Sequence, residues 1–368
     1  FYILCYNIIN YFYYTIFLFN IKITMSLFTS INSYLGVDIG SSNIKIVELA
    51  KDNERPRLLT YGFSEDIKNF DWQKNVKTTA QIINKICDEA GVSTKSAIAA
   101  LPTFSVFSSV LNLSNVNKRE LSSAIHWEAK KVIPLPLDEM ILDWQEIKDG
   151  ANNKNNNIKV LLTGAPRTLI NKYIEIFKEA RINLLSLETE TFSLIRSILG
   201  NDKSRAALVE IGAGTTDVSI VDKGIPMFNR SINVGGMTIT KALSRNLNIT
   251  TERAEQFKYD LGISSIDSHE GNVPKIIIET VSPIVNEIKY ALSLYEKKNK
   301  GKVDKIILSG GSSLLPNLPN YLSKILNIKV VIGDPWSRIQ YHQDLRPLLN
   351  EIGPGMSVAV GLALRNMD

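Results

Sequence analysis

Two short glycine turns, about 170 residues apart, carry the residue types that could hold a phosphate and a divalent cation. The first is Leu35-Gly36-Val37-Asp38-Ile39-Gly40-Ser41-Ser42-Asn43-Ile44-Lys45. The second is Ala207-Leu208-Val209-Glu210-Ile211-Gly212-Ala213-Gly214-Thr215-Thr216-Asp217-Val218. In each, an apolar strand reaches a carboxylate, small residues follow, and an alternating strand leaves: Ile44 and Ile46 around Lys45, Val218 and Ile220 around Ser219. Neither turn opens a helix. That excludes the Walker loop and the dinucleotide fingerprint, which need a helix directly after the glycines. The pattern predicts two β-hairpins facing each other across a cleft. Backbone N–H groups in turns without bulky side chains can cradle phosphate. Carboxylates at strand ends can hold Mg²⁺, usually through water, because that ion dehydrates reluctantly.

A third turn follows a buried strand, Asp304 to Ser309: Gly310-Gly311-Ser312-Ser313, leading to a helix with Pro316 in its first turn. Its glycines would let a flat ring lie against the backbone. Read alone, it is simply a turn into a helix.

These turns need elements to position them. Tyr34 to Lys51 reads as a hairpin and Leu58 to Phe63 as a third strand. A helix over Trp72 to Ala90 ends at Gly91, and a buried strand over Ser96 to Leu101 stops at Pro102. A compact β-α-β-β unit is predicted next: a strand over Phe104 to Leu113, a helix over Lys118 to Lys131, then strands over Met140 to Ile147 and Ile158 to Pro166. Between its last two strands, residues 149–157 are polar and Asn-rich and read as a hairpin loop. Helices are expected over Thr168 to Ala180 and Glu190 to Leu199. The second hairpin then repeats the element order of the first, with a third strand at Met227 to Asn233. Thr238 to Tyr295 is mainly helical, interrupted near Gly262 to Asn272. A final small, apolar helix over Met356 to Arg365 suits an interior.

The composition is that of an ordinary globular protein, with a net charge of +5. Its Lys and Arg residues are scattered, which gives no nucleic-acid stripe. Lys297-Lys298-Asn299-Lys300-Gly301-Lys302 reads as a solvated loop or a contact to phosphate or anionic lipid. Two distant cysteines, Cys5 and Cys87, and three isolated histidines offer no disulfide or metal cluster. Residues 1–24, rich in Phe, Tyr, Ile and Asn with Lys22 as their only charge, are set outside the fold. They read as an over-extended reading frame ahead of Met25, with a membrane anchor as the alternative.

Taken in order, the three turns resemble the phosphate 1, phosphate 2 and adenosine motifs of the actin-like ATPase superfamily. The closer likeness is to its FtsA-like subgroup and, within it, to the PilM family of type IV pilus assembly proteins. Ser33 to Lys45, Leu187-Glu188-Thr189-Glu190, Gly235-Gly236 with Ala254 to Lys258, and Gly361-Leu362-Ala363-Leu364-Arg365 carry it. The resemblance runs from about Tyr34 to the C-terminus. It implies an α/β, actin-like (ribonuclease H-like) two-domain fold with a nucleotide cleft. The first domain would comprise residues 25–103 and 166–204, joined by the returning helix of 355–368. Residues 104–165 would be the inserted subdomain. Residues 205–354 would form the second domain, with a helical subdomain over about 238–295.

The resemblance also implies ATP and Mg²⁺ as cofactors and assigns roles. Asp38, Glu210 and Asp217 would hold the metal. Gly40, Ser41, Ser42 and Lys45 would face Gly212, Gly214, Thr215 and Thr216 across the phosphates. Glu210 departs from the superfamily, which usually has Asp there, and an exposed strand end is its other reading. Glu188 and Glu190 match the segment that positions the attacking water. Only one of them can face the cleft, Glu190 aligns better, and a helix cap is the alternative role. Glu255 and Lys258 share a helix face and would bracket ribose and adenine, or form a surface ion pair. Gly310, Gly311 and Ser312 would complete the adenosine side.

The implied function is an ATP-binding cytoplasmic adaptor, with at most weak ATPase activity, peripheral to the inner membrane. Its partner would be the short N-terminal cytoplasmic tail of a bitopic, PilN-like pilus protein. That tail would dock between the first domain and the insert, with nucleotide biasing the docking. Self-association is a further expected contact, and no nucleic-acid partner is expected. The alternatives are an FtsA-like division or filament-forming scaffold and, from the enzymes, a kinase of the same superfamily.

Overall fold

The computed structural model describes residues 32–52, 55–64, 71–114, 116–117, 119–147, 158–263, 272–299 and 301–367. The expectations for residues 1–24, for the loop 149–157 and for most of the break at 262–272 fall outside the described residues.

The chain opens with β1 (Ser33–Ile39), β2 (Ile44–Ala50) and β3 (Arg57–Phe63), then α1 (Val76–Ala90) and β4 (Ser96–Leu101). A compact unit follows: β5 (Phe107–Leu113), α2 (Leu121–Val132), β6 (Met140–Ile147) and β7 (Ile158–Pro166). Next come α3 (Arg167–Glu179), β8 (Asn183–Thr189) and the short α4 (Glu190–Leu194), which continues as one π-helical turn over Ile195–Leu199. The second half holds β9 (Ala206–Ile211), β10 (Thr216–Asp222), β11 (Ile225–Ile232), α5 (Gly236–Leu247), α6 (Thr251–Leu261) and α7 (Asn272–Asn299). It is completed by β12 (Lys305–Ser309), α8 (Leu318–Leu326), β13 (Val330–Ile332) and α9 (Arg346–Ala363).

The two large sheets have one topology. The first runs β3-β2-β1-β4-β8 and the second β11-β10-β9-β12-β13. In each, an antiparallel hairpin supplies the first strands, and the next two lie parallel to the hairpin's opening strand. This duplicated order is the actin-like, ribonuclease H-like architecture that the three turns imply. It also places the carboxyl ends of β1, β4 and β8 on one edge, where ligands bind in open α/β sheets.

Both faces of each sheet are covered, so β1 and β9 are almost continuously buried. On one face of the first sheet, Leu35, Val37 and Ile46 pack against Ile83 and Ile86 of α1 and Tyr173 and Ile176 of α3. On the other, Val47 and Leu49 meet Met356, Ala359 and Val360 of α9. The same α9 turns Val358 and Leu362 to Leu208 and Val221 of the second sheet, with Leu194 of α4 beside them. One helix therefore belongs to both cores.

Helix α9 is longer than the sequence suggests. Gly353-Pro354-Gly355 reads as a breaker, but the helix passes through it. The Pro354 carbonyl accepts Gly310 N–H at 2.8 Å and the Ser309 hydroxyl at 3.1 Å, so tertiary bonds tie this turn of the helix to the end of β12. Small residues let α9 lie directly on β1: a Cβ built at Gly36 would stand 2.0 Å from the Ala359 carbonyl oxygen and 2.7 Å from Ala363 N. No rotamer relieves a backbone clash. Gly36→Val is therefore expected to cost about 3 kcal/mol or more, read as a lowered melting temperature.

The third sheet, β5-β7-β6, is antiparallel. Helix α2 covers one face of it with Leu121, Ile125 and Ala129. Trp127, on the opposite side of the helix, is 64% exposed.

Candidate functional site

The two glycine turns close in the same way. Gly40 N–H donates to the Asn43 carbonyl at 3.0 Å, and Gly212 N–H to the Thr215 carbonyl at 2.9 Å. They face each other closely: a Cβ at Gly214 would lie 3.0 Å from Ser41 Oγ. Between them is a cavity of about 100 Å³. Its lining includes Asp38, Gly40, Ser41, Ser42, Lys45, Glu190, Glu210, Gly212, Thr215 and Asp217. Ligand pockets run to about 300–1,000 Å³, so this space suits phosphates and an ion rather than a whole nucleotide.

The hairpins differ in the charges they set opposite one another. In the first, Asp38 pairs in register with Lys45, and the two meet at 3.2 Å. In the second, Glu210 pairs in register with Asp217. Like charges directly opposite are destabilising. Glu190 joins them, and one carboxylate oxygen from each of Glu190, Glu210 and Asp217 lies within 4.8 Å of the others. Glu210 Oε2 and Asp217 Oδ1 are buried without a hydrogen-bond partner. Three converging carboxylates, two of them with an orphaned oxygen, are a donor set of the chemistry Mg²⁺ takes.

The electrostatics follow. Burial, then Asp217 and Asp38, push the Glu210 carboxyl up to about 8, with Lys45 opposing. Burial carries Asp217 up to about 6. Burial, then Glu210, Asp217 and Asp38, hold Glu190 well above the ordinary carboxylate value. At Lys45 burial acts to lower the pKa, but Asp38, Glu210 and Glu190 outweigh it and the net shift is upward.

Several expected placements differ from what the fold produces. Glu188 is turned away from the cleft. Its carboxylate is held by Arg196 at 2.7 and 2.9 Å and by the Ser193 hydroxyl at 2.7 Å, with Arg365 at 3.6 Å. The period-two alternation of β8 sends it opposite to Thr189, and the chain then turns into α4 with Glu190 in its first turn. Glu188 is thus a structural ion-pair residue and not a catalytic candidate. Thr216 is fully buried, and its hydroxyl donates to the Val234 carbonyl at 2.7 Å, so its side chain does not face phosphate. Asp38, expected as the first metal ligand, lines the cleft, but its Oδ2 is engaged by Lys45.

The adenosine-side residues gather elsewhere, around Gly236 at the start of α5. Lys258 is buried, with Nζ 2.6 Å from Glu255 Oε1 and 3.1 Å from Thr240 Oγ1. Thr240 also bonds Glu255. Ser312 donates to the Gly212 carbonyl at 3.3 Å, and a Cβ at Gly236 would press on its hydroxyl. Gly311 has open space where a side chain would stand, whereas Gly310 (φ 81°) lies against the backbone of Ile211. None of these residues lines the phosphate-sized cavity. They form a second group beside it, joined through Gly212.

Trp72, Pro102 and Phe104 line the cleft without having been singled out from the sequence. So does Thr103 act there, by donating from its backbone N–H (2.7 Å) and hydroxyl (2.9 Å) to Glu190 Oε2. For Pro102, Thr103 and Phe104 the signal was their place just after β4, which runs parallel to β1 and so ends on the same edge.

Among solved structures, the chain is similar to that of a PilM-PilN type IV pilus biogenesis complex. The TM-score is 0.78 at 22% identity, covering 91% of this chain and 98% of that one. MreB 5 of Spiroplasma citri bound to AMPPNP gives a TM-score of 0.52 at 12% identity, covering 90% and 95%. The cell division protein FtsA of Bacillus subtilis is 23% identical over 355 residues, 82% of this chain and 78% of that protein. Among the described residues, no helix is long and apolar enough to cross a membrane. The family model for type IV pilus assembly protein PilM matches residues 36–367, and with both glycine turns, the duplicated sheets and α9 inside that span, the chain belongs to the PilM family of actin-like proteins.

Proposed function

We propose that the chain binds ATP with Mg²⁺ between its two hairpins and uses that binding to set how it docks a membrane-protein tail. The observation that carries this is the in-register Glu210–Asp217 pair with its orphaned oxygens, a like-charge contact that a cation at the cleft would make favourable once the carboxyls are deprotonated. Glu190, Glu210 and Asp217 would hold Mg²⁺, with Asp38 behind them. The ion would supply positive charge against the phosphates. Ser41, Ser42, Gly214 and Thr215 would offer backbone and hydroxyl donors from both sides, on turns that the Gly40 and Gly212 N–H groups close. Lys45 brings a cation to the same space. Glu190 stands where a carboxylate can orient a water and accept its proton. The Gly236 cluster, with Glu255, Lys258, Gly310, Gly311 and Ser312, would take the nucleoside. Because the present cavity is phosphate-sized, the halves must part to admit it.

The partner reading has its own support. A cavity of about 280 Å³ opens where the β5–β7 unit meets α3. Its lining, Leu135, Asp138, Glu139, Met140, Pro166, Arg167 and Thr168, combines apolar surface with both signs of charge. A short extended peptide fits such a groove, and the similarity to the PilM-PilN complex supports the cytoplasmic tail of a PilN-like protein as its occupant. The chain would then sit at the cytoplasmic face of the inner membrane. Residues 104–165 would serve as the partner-facing subdomain. Leu135→Glu and Arg167→Glu are expected to weaken tail-peptide binding by about tenfold or more each, since buried anchors and charges dominate such contacts. Mg-ATP binding should be unchanged. Calorimetry with the cognate tail peptide tests this; full tail affinity in both variants would place the groove elsewhere.

A further inference from the structure

The geometry points to Thr103 as the positioning residue of the cleft and the link between nucleotide and insert: it clamps Glu190 with two hydrogen bonds and is itself the root of the inserted unit. This rests on the nucleotide reading above. Thr103 is buried and opens a single 3-10 turn, Thr103–Ser105, that joins β4 to β5. Both of its donors converge on one atom, Glu190 Oε2. Glu190 Oε1 has no bond to the chain among the described residues. The clamp thus fixes the carboxylate while leaving one oxygen for the cleft.

The same turn is touched from the other wall. Strand β11 packs against Thr103–Ser105 and against β5. It is the partner of β10, with Ser231 in register with Asp217. Phe104, next in the chain, lines the cleft and is 58% exposed. The root of the insert therefore rests on Glu190 from one half and on β11 from the other. Any parting or closing of the cleft must shift these two contacts relative to each other, and the insert turns with them. Coupling of this kind needs a physical element that both sites bias, and the turn is that element.

The test uses the full chain with Mg-ATP as the probe. Calorimetry reads affinity, and hydrogen exchange reads the amides of β5 and β6. In the parent protein, saturating Mg-ATP should slow exchange in β5 and β6 by about fivefold or more, the lower end of ordinary allosteric coupling. Thr103→Val keeps the shape and the backbone N–H but loses the hydroxyl. It should weaken Mg-ATP about tenfold, and at saturation the slowing in the insert should vanish. Thr103→Ser, which retains the hydroxyl, should restore both. A Thr103→Val protein whose insert still responds at saturation overturns the proposal, as does failure of Thr103→Ser to restore the response. A parent protein that binds Mg-ATP without any response in the insert overturns it too. If the parent protein does not bind Mg-ATP, the nucleotide reading itself fails, a separate result.

Discussion

Replacing Gly214 with Val should lower Mg-ATP affinity at least about 100-fold, close to 2.7 kcal/mol, while leaving the protein folded. Gly214 faces Ser41 across the cleft, and a Cβ there would already stand 3.0 Å from the serine hydroxyl. The two γ-methyls of valine would fill the space where both turns present their donors. Gly214 does not sit in the left-handed backbone region, so the substitution does not strain its own turn. The loss should therefore appear in ligand binding and not in the melting temperature of the free protein. Thermal stabilisation by Mg-ATP, measured for parent and variant, checks this. Equal stabilisation of the two would remove the phosphates from this cleft.

The second large effect is one of pH. Burial, with Asp217 and Asp38 adding to it, raises Glu210 from 4.5 to about 8, and burial raises Asp217 from 3.8 to about 6. Groups whose pKa is higher folded than unfolded bind protons more tightly in the native state. Their contribution is fully present below the unfolded values and is lost as pH rises through the folded ones. Without metal, the protein should lose stability between about pH 4 and pH 8, by an amount on the order of a few kcal/mol. Mg²⁺ takes the deprotonated form, so its binding should release protons in this window and tighten as pH rises. Glu210→Gln should flatten the metal-free stability profile, raise stability at pH 8 and blunt the Mg²⁺ response. Thermal melts from pH 4.5 to 8.5, with chelator and with Mg²⁺, measure all three. A flat chelator profile for the parent protein would show that the buried carboxyls are not held above their ordinary values.

Much of the architecture is legible in the residues. Strands such as Ser96–Leu101, Met140–Ile147 and Ile158–Pro166 fall where the apolar runs and their Pro and polar boundaries put them. The hairpins are legible because a carboxylate, small residues and an alternating strand leave few other conformations. What the pattern does not carry is which way a side chain faces when two candidates lie two apart. Glu188 and Glu190 have the same chemistry; the turn from β8 into α4 and the presence of Arg196 decide between them, and Arg196 lies in a later turn. Thr103 is a similar case, since its role depends on Glu190, which arrives far along the chain. The early start of α9, ten residues ahead of Met356, is not legible either, because the turn around Pro354 is held by a contact with Ser309 and Gly310 from far earlier in the chain.

Helix α9 sets the order in which the protein can be finished during synthesis. Strand β1 is made well before its cover: the backbone that lies on Gly36 belongs to Ala359 and Ala363, about 320 residues further along the chain. At about 5–20 residues per second, that face of the first sheet waits on the order of tens of seconds for its cover. The usual progression, in which an N-terminal domain folds before its successor is made, is closed to this chain. On these faces both lobes stay open until α9 has been made. A chain that stops before Arg346 would present two bare sheet faces at once, a substrate for chaperones and proteases rather than a shorter working protein.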